Sequence, residues 1–240
     1  MEHDEFRFKH FSALHGRSSM KIGVDAVLLG AWAGKADAAT ILDAGTGCGV
    51  IALMLKQIHP EAEVLAIDVD EDSVEEAAGN FERSGFSPGL RAKKMSFPTD
   101  LKEFGLRFDM IVSNPPYFKS GIENPSTSRE RARHQASLSV FSLLESCRSM
   151  LNPGGVLAVI IPAVYRDEAL EFGRSHGMVP SRECLVRNNP RRPFKRVMME
   201  FMRKEEIPDS SPEMQSLTLF EDGEPTSGYK QLCKDFYLKF

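Results

Sequence analysis

The chain has 240 residues, 42% hydrophobic and 27% charged, proportions ordinary for a globular protein large enough to bury a sizeable core. With 30 Lys and Arg against 34 Asp and Glu, the formal net charge is -4, so the chain is no polycation and any nucleic-acid contact must come from a local basic patch. Cys48, Cys147, Cys184 and Cys233 are widely spaced with no Cys-x-x-Cys pair, which argues against a zinc site or disulfide framework and for a reducing compartment.

Met1 to Glu5 lacks the basic-then-apolar pattern of a secretion signal, and no apolar run is long enough to span a bilayer. A cytoplasmic protein without membrane or metal is therefore expected. Asp25 is a candidate cap for a helix over Ala26 to Trp32, with Val27, Leu28 and Trp32 on its apolar face. Thr40 to Ala44 reads as a strand ending in glycines, and Val50 to Ile58 as the helix behind it. Glu63 to Asp68 is the next strand. Asp70 reads as an N-cap, Ser73 to Arg83 as helix and Gly85 as its stop. Leu90 to Met95 is a weaker strand and Phe108 to Val112 a strong one. Val140 to Met150 is helical, and Asn152-Pro153-Gly154-Gly155 turns the chain into a strand over Val156 to Ile161. This alternation predicts an α/β fold, a mostly parallel sheet with helices on both faces. Met178 to Arg187 and Arg196 to Met202 then read as an antiparallel C-terminal hairpin. Residues 204–228, acidic and rich in Ser and Pro, read as a surface loop, and 229–240 as a terminal docking segment.

Asp43-Ala44-Gly45-Thr46-Gly47-Cys48-Gly49 joins the first strand to its helix. Its spacing is G-x-G-x-G after an acid, not the G-x-G-x-x-G of a dinucleotide site. An acid at Asp43 would repel a pyrophosphate and suits a cationic group, such as the amino group of S-adenosylmethionine. Asp68, with Val69 beside it, ends the next strand, where a carboxylate can accept from two ribose hydroxyls. Gly45, Thr46, Gly47, Gly49, Asp68 and Val69 are thus candidate cofactor-binding residues. Cys48 has no visible base beside it and reads as a packed residue.

Asn114-Pro115-Pro116-Tyr117 follows the strong strand directly. The Asn114 side-chain oxygen and the Pro115 carbonyl can accept from the two N–H groups of a planar amine, favouring a lone pair aimed at a methyl donor. Two prolines stiffen the turn. Tyr117 can stack on the ring carrying the amine, which must leave its own stack to enter. Asn114, Pro115, Pro116 and Tyr117 are the catalytic candidates, and Asn114 also borders the donor.

Asp43 to Gly49, Asp68 and Asn114 to Tyr117 together resemble class I S-adenosylmethionine-dependent methyltransferases acting on amino groups. Phe6 to Phe11, Met20-Lys21-Ile22-Gly23-Val24-Asp25-Ala26-Val27-Leu28-Leu29-Gly30-Ala31-Trp32 and Lys234 to Leu238 narrow this resemblance to the bacterial tRNA1(Val) adenine-N6 methyltransferases. The resemblance implies a Rossmann-like sheet and methylation of adenine 37, next to the anticodon. It implies one methyltransferase domain over 1–240: a donor-covering segment over 1–35, a catalytic core over 36–203, then the loop and docking segment. Lys21, Gly23 and Asp25 fall on the donor-covering motif, where Asp25 stands equally as cap or ligand contact. The family's acid that reads the donor adenine is missing at the end of the third strand. Ser96 and Phe97 stand there in its place as cofactor-binding candidates, with Asp100 nearby.

The same turn serves methyltransferases acting on DNA or other RNA adenines and on release-factor glutamine, so these remain alternatives. A donor-binding RNA-interaction module without catalysis is the non-enzymatic one. Two basic stretches favour RNA, with the tRNA anticodon loop as partner: Arg129, Arg131 and Arg133, followed by His134, and Arg191, Arg192, Lys195 and Arg196 on the late hairpin.

Overall fold

The computed structural model describes residues 4–18, 20–34, 37–86, 88–116, 138–207 and 211–240. Glu5–Arg7 (β1) and Ser12–Leu14 (β2) form a small antiparallel ribbon, and Val24–Trp32 (α1) follows. Next come Thr40–Ala44 (β3), Val50–Ile58 (α2), Glu63–Asp68 (β4), Glu71–Ser84 (α3) and Leu90–Lys94 (β5). Thr99–Glu103 (α4), Phe108–Ser113 (β6), Val140–Met150 (α5), Leu151–Pro162 (β7) and Arg166–Ser175 (α6) complete the alternating part. Met178–Arg187 (β8), Arg196–Arg203 (β9), Glu213–Thr218 (β10), Phe220–Glu221 (β11), Glu224–Pro225 (β12) and Ser227–Cys233 (α7) end the chain.

The main sheet has the order β10-β8-β9-β7-β6-β3-β4-β5. Pairing is parallel from β5 through to β7, and β9 alone runs antiparallel to both its neighbours. Successive side chains on a strand point to opposite faces, so the strands feed two cores. Ile41, Val64, Met110, Val112 and Ala158 pack with α1, α2, α3 and α7. Leu42, Ile67, Ile111, Leu157 and Val159 pack with α4, α5 and α6. This double burial is why the strands read as near-continuous apolar runs.

The sheet is the expected one, with two differences in detail. Residues 204–228 are not a plain surface loop. They hold β10, which pairs parallel to β8, and the β11–β12 ribbon. An exposed edge strand needs one apolar face only, and of Glu213–Thr218 only Leu217 is buried. The strand expected from Val156 begins at Leu151, and residues 152–155 are looped out of register against β6. Asp70 caps α3 as expected, accepting from Ser73 N at 3.1 Å, and Gly85 stops it with a φ of 73°.

Candidate functional site

Strand order reverses between β3 and β6, and ligands bind such sheets beyond the carboxyl ends of the strands at that point. The glycine turn and Asn114 both stand there, because each directly follows one of the two strands. Ser113 Oγ donates to Ala44 O at 2.7 Å, which ties the two strand ends together. Asn114 is half-buried, Pro115 buried and Pro116 exposed. Tyr117, Arg129, Arg131, Arg133 and His134 lie outside the described residues.

Gly45 N and Thr46 N donate to Ile67 O at 2.9 and 3.0 Å, folding the turn onto the end of β4. The three glycines adopt positive φ but serve different ends. A Cβ at Gly45 would lie 2.4 Å from Leu138 Cδ2, and one at Gly49 2.6 Å from Phe81 Cε1. Those two are small for packing. A Cβ at Gly47, with φ of 55°, would meet nothing within 4 Å, so this backbone is open to a ligand.

Asp43 is wholly buried. Its Oδ2 accepts from Thr46 Oγ1 at 2.7 Å and Ala52 N at 3.2 Å. Its Oδ1 has no hydrogen-bond partner among the described residues. Burial pushes its pKa up to about 7, although the Thr46 and Ala52 hydrogen bonds oppose the rise. Asp68 Oδ2 accepts from Gly47 N at 3.0 Å and its Oδ1 from Asp70 N at 3.1 Å. Each carboxylate oxygen has a second lone pair, so both keep capacity toward the crevice. Val69 beside it is 64% exposed. These features fit a ligand with a cationic end and a pair of hydroxyls.

At the end of β5, Met95 N donates to Asp68 O at 3.0 Å and Ser96 N to Asp100 Oδ2 at 2.7 Å. Asp100 is thereby folded onto Ser96, while Phe97, expected beside the cofactor, is buried in the core with Leu101 and Phe108 and leaves Ser96 as the candidate at this strand end. Cys48 is buried and its thiol pushed up to about 12 by desolvation, which removes it as a nucleophile. Among the described residues no His, Cys, Asp and Glu group could hold a metal ion.

The N-terminal candidates are arranged differently from the sequence reading. The cap of α1 is Gly23, and the helix begins at Val24, so Asp25 is not the cap. Asp25 sits in the first turn instead and forms an ion pair with Arg196. Lys21 is exposed and pairs with Asp4 at 3.4 Å. Arg191, Arg192 and Lys195 are exposed on the β8–β9 loop. Ala163 N, past the end of β7, donates to Lys195 O at 2.9 Å, which places that loop on the same edge as Asn114.

Sequence reasoning missed Glu76 and Asn80, both buried on α3. Ser73, Glu76, Ala77, Asn80 and Phe81 form one buried stripe at helical spacing. A charged residue and an amide inside such a stripe were the signal available. A cleft lined by Lys56, Gln57, Glu61, Phe86 and Asp235 also takes in Glu63 at the start of β4, on the edge opposite this chemistry.

The methyltransferase small domain family matches residues 6–172. The chain is 38% identical over its full length to a tRNA1(Val) (adenine(37)-N6)-methyltransferase of Parabacteroides distasonis, also over that protein's full length. It is 34% identical to a protein of the same name from Vibrio vulnificus, covering 98% of this chain and 95% of that one. A structure described as a predicted O-methyltransferase from Agrobacterium tumefaciens matches with a TM-score of 0.63 at 17% identity, covering 88% of this chain and 96% of the other; it speaks for the fold alone.

Proposed function

The chain belongs to the tRNA1(Val) (adenine(37)-N6)-methyltransferase family and carries the methyltransferase small domain, and from that premise we propose that it transfers a methyl group from S-adenosylmethionine to N6 of adenine 37 in tRNA1(Val). The carrying observation is the Ser113–Ala44 hydrogen bond, which sets the Asn114-Pro115 turn beside the glycine turn. The whole of 1–240 works as one methyltransferase domain in this reading. No helix among the described residues is long and apolar enough to cross a membrane.

S-adenosylmethionine, when bound, supplies an electrophilic methyl group on a sulfonium. The Oδ1 of Asp43, without a partner among the described residues, suits the cationic amino end, the open backbone at Gly47 permits close approach, and Asp68 accepts from the ribose hydroxyls. Val69 and Ser96 border the adenine end, and Lys21 and Gly23 cover the site. Asn114 Oδ1 and the Pro115 carbonyl hold the two N–H groups of the target amine, which turns its lone pair toward the donor. Positioning supplies most of the rate, and no general base is required because the proton leaves after transfer. Tyr117 stacks on the flipped adenine. Arg191, Arg192 and Lys195 carry phosphate contacts, with Arg129, Arg131 and Arg133 as further candidates from sequence.

The test is transfer of labelled methyl to unmodified tRNA1(Val), with nucleoside mass spectrometry to locate the product. Asn114→Ala is expected to lower kcat by about 100-fold or more, as for loss of one aligned transition-state contact. Label entering a release factor but not the tRNA overturns the substrate; no label in either overturns catalysis.

A further inference from the structure

Two fastenings hold the N-terminal segment across the ligand edge of the sheet. At one end, Glu76 Oε1 accepts from Gly16 N and Arg17 N, each at 2.9 Å, and its Oε2 from Ser18 N at 2.8 Å. Three successive backbone N–H groups thus converge on one carboxylate, a nest with the anion supplied by the protein itself. One helical turn on, Asn80 Oδ1 accepts from Leu14 N at 2.8 Å. Its Nδ2 donates to Leu14 O at 2.8 Å and to Cys48 O at 2.7 Å. Cys48 belongs to the glycine turn, so one buried side chain grips both the segment and the donor loop. At the other end, Asp25 pairs with Arg196 at the start of β9.

The order of the sheet decides what lies between. α3 follows β4, and β9 lies beyond β7, so the segment runs from one side of the β3–β6 crevice to the other. Lys21 and Gly23 lie on this crossing. Arg17 adds exposed pairs to Asp72 and Glu75 at 2.6 and 2.7 Å, which are worth little in water.

We propose that Glu76 and Asn80 are positioning residues for donor binding: they hold Gly16–Ser18, and through it Lys21–Asp25, closed over the donor crevice. Neither touches the reacting atoms. The inference rests on the donor site described above, and its test needs no RNA. Calorimetry on the full chain measures S-adenosylmethionine and S-adenosylhomocysteine binding. Glu76→Ala is expected to weaken both by about 10-fold or more, since each lost 1.4 kcal/mol is tenfold, and Glu76→Gln, which keeps one acceptor oxygen, by less. Trypsin cleavage after Arg17 or Lys21 should be slowed by donor in the wild type, and that protection should be lost in Glu76→Ala. If Glu76→Ala does not fold, the same two readouts on Glu76→Gln and Asn80→Ser decide the matter. Weaker donor binding with loss of protection supports the proposal. A lowered melting temperature with unchanged donor affinity would make the pair a strut only, and would overturn it. A wild type that binds donor but methylates no tRNA sinks the substrate reading and leaves this inference standing.

Discussion

Position 43 holds a carboxyl group that is wholly buried, with one oxygen bonded twice and the other unpartnered among the described residues. Desolvation raises its pKa to about 7. The sign follows from linkage: between its unfolded pKa near 4 and about 7, the native state keeps a proton that the unfolded chain has released, so this group's contribution to stability falls as pH rises through that window. A cationic ligand brought to Oδ1 favours the ionised form and drives the proton off. Donor binding at neutral pH is therefore expected to release protons from this site. Calorimetry in phosphate and in Tris, whose ionisation heats differ, reads that release. Asp43→Asn should remove most of the buffer dependence; the same dependence in both proteins would sink the assignment. Part of this was legible in sequence, since an acid before G-x-G-x-G already excluded a pyrophosphate. Its full burial was not, because it depends on α2 and β4 closing over it.

The β8–β9 loop makes an element-scale case. Arg191, Arg192 and Lys195 are exposed and form no ion pair with the described residues, whereas Arg196 is committed to Asp25. Four basic residues that look equivalent in sequence therefore divide in two. Removing Arg191, Arg192 or Lys195 should weaken RNA binding across all sequences and reduce the salt slope by about 1 each. Arg196→Ala should instead weaken donor binding, because it unfastens α1. Affinity for a labelled anticodon stem-loop over a salt series, beside donor calorimetry, separates the two. A salt slope that falls equally for all four variants would contradict the division. Elements of the parallel sheet were legible because burial on both faces writes continuous apolar runs. β10 was not, since Glu213-Met214-Gln215-Ser216-Leu217-Thr218 buries one side chain and owes its strand to the edge of β8. The Asp25–Arg196 pair joins residues far apart in the chain, and no local pattern announces such a contact.

Across the whole molecule the two edges of the sheet are built for different tasks. The edge at the carboxyl ends of the parallel strands carries open backbone at Gly47 and, at Asp43, an acceptor with no partner among the described residues. At the other edge, Asp109 gathers the strand starts. Its Oδ2 accepts from Ala39 N at 3.0 Å, Thr40 N at 2.9 Å and Thr40 Oγ1 at 3.0 Å, and its Oδ1 from Asn152 Nδ2 at 2.9 Å. One carboxylate on β6 thus holds β3 on one side and the looped start of β7 on the other. Desolvation alone would raise its pKa, but the hydrogen bonds from Asn152, Thr40 and Ala39 outweigh it and the net shift is downward. With the folded pKa depressed, the stabilisation is complete above the unfolded value near 4 and is lost as pH falls through the folded one. Asp109→Ala leaves two backbone N–H groups without this acceptor and should cost about 2–3 kcal/mol at pH 7. Urea unfolding of both proteins from pH 7 to pH 3 tests the sign as well as the size. The gap between them should stay level down to about pH 4 and narrow below it. A gap that widens in acid would mean that the carboxyl works in its protonated form and that the edge is held by something else.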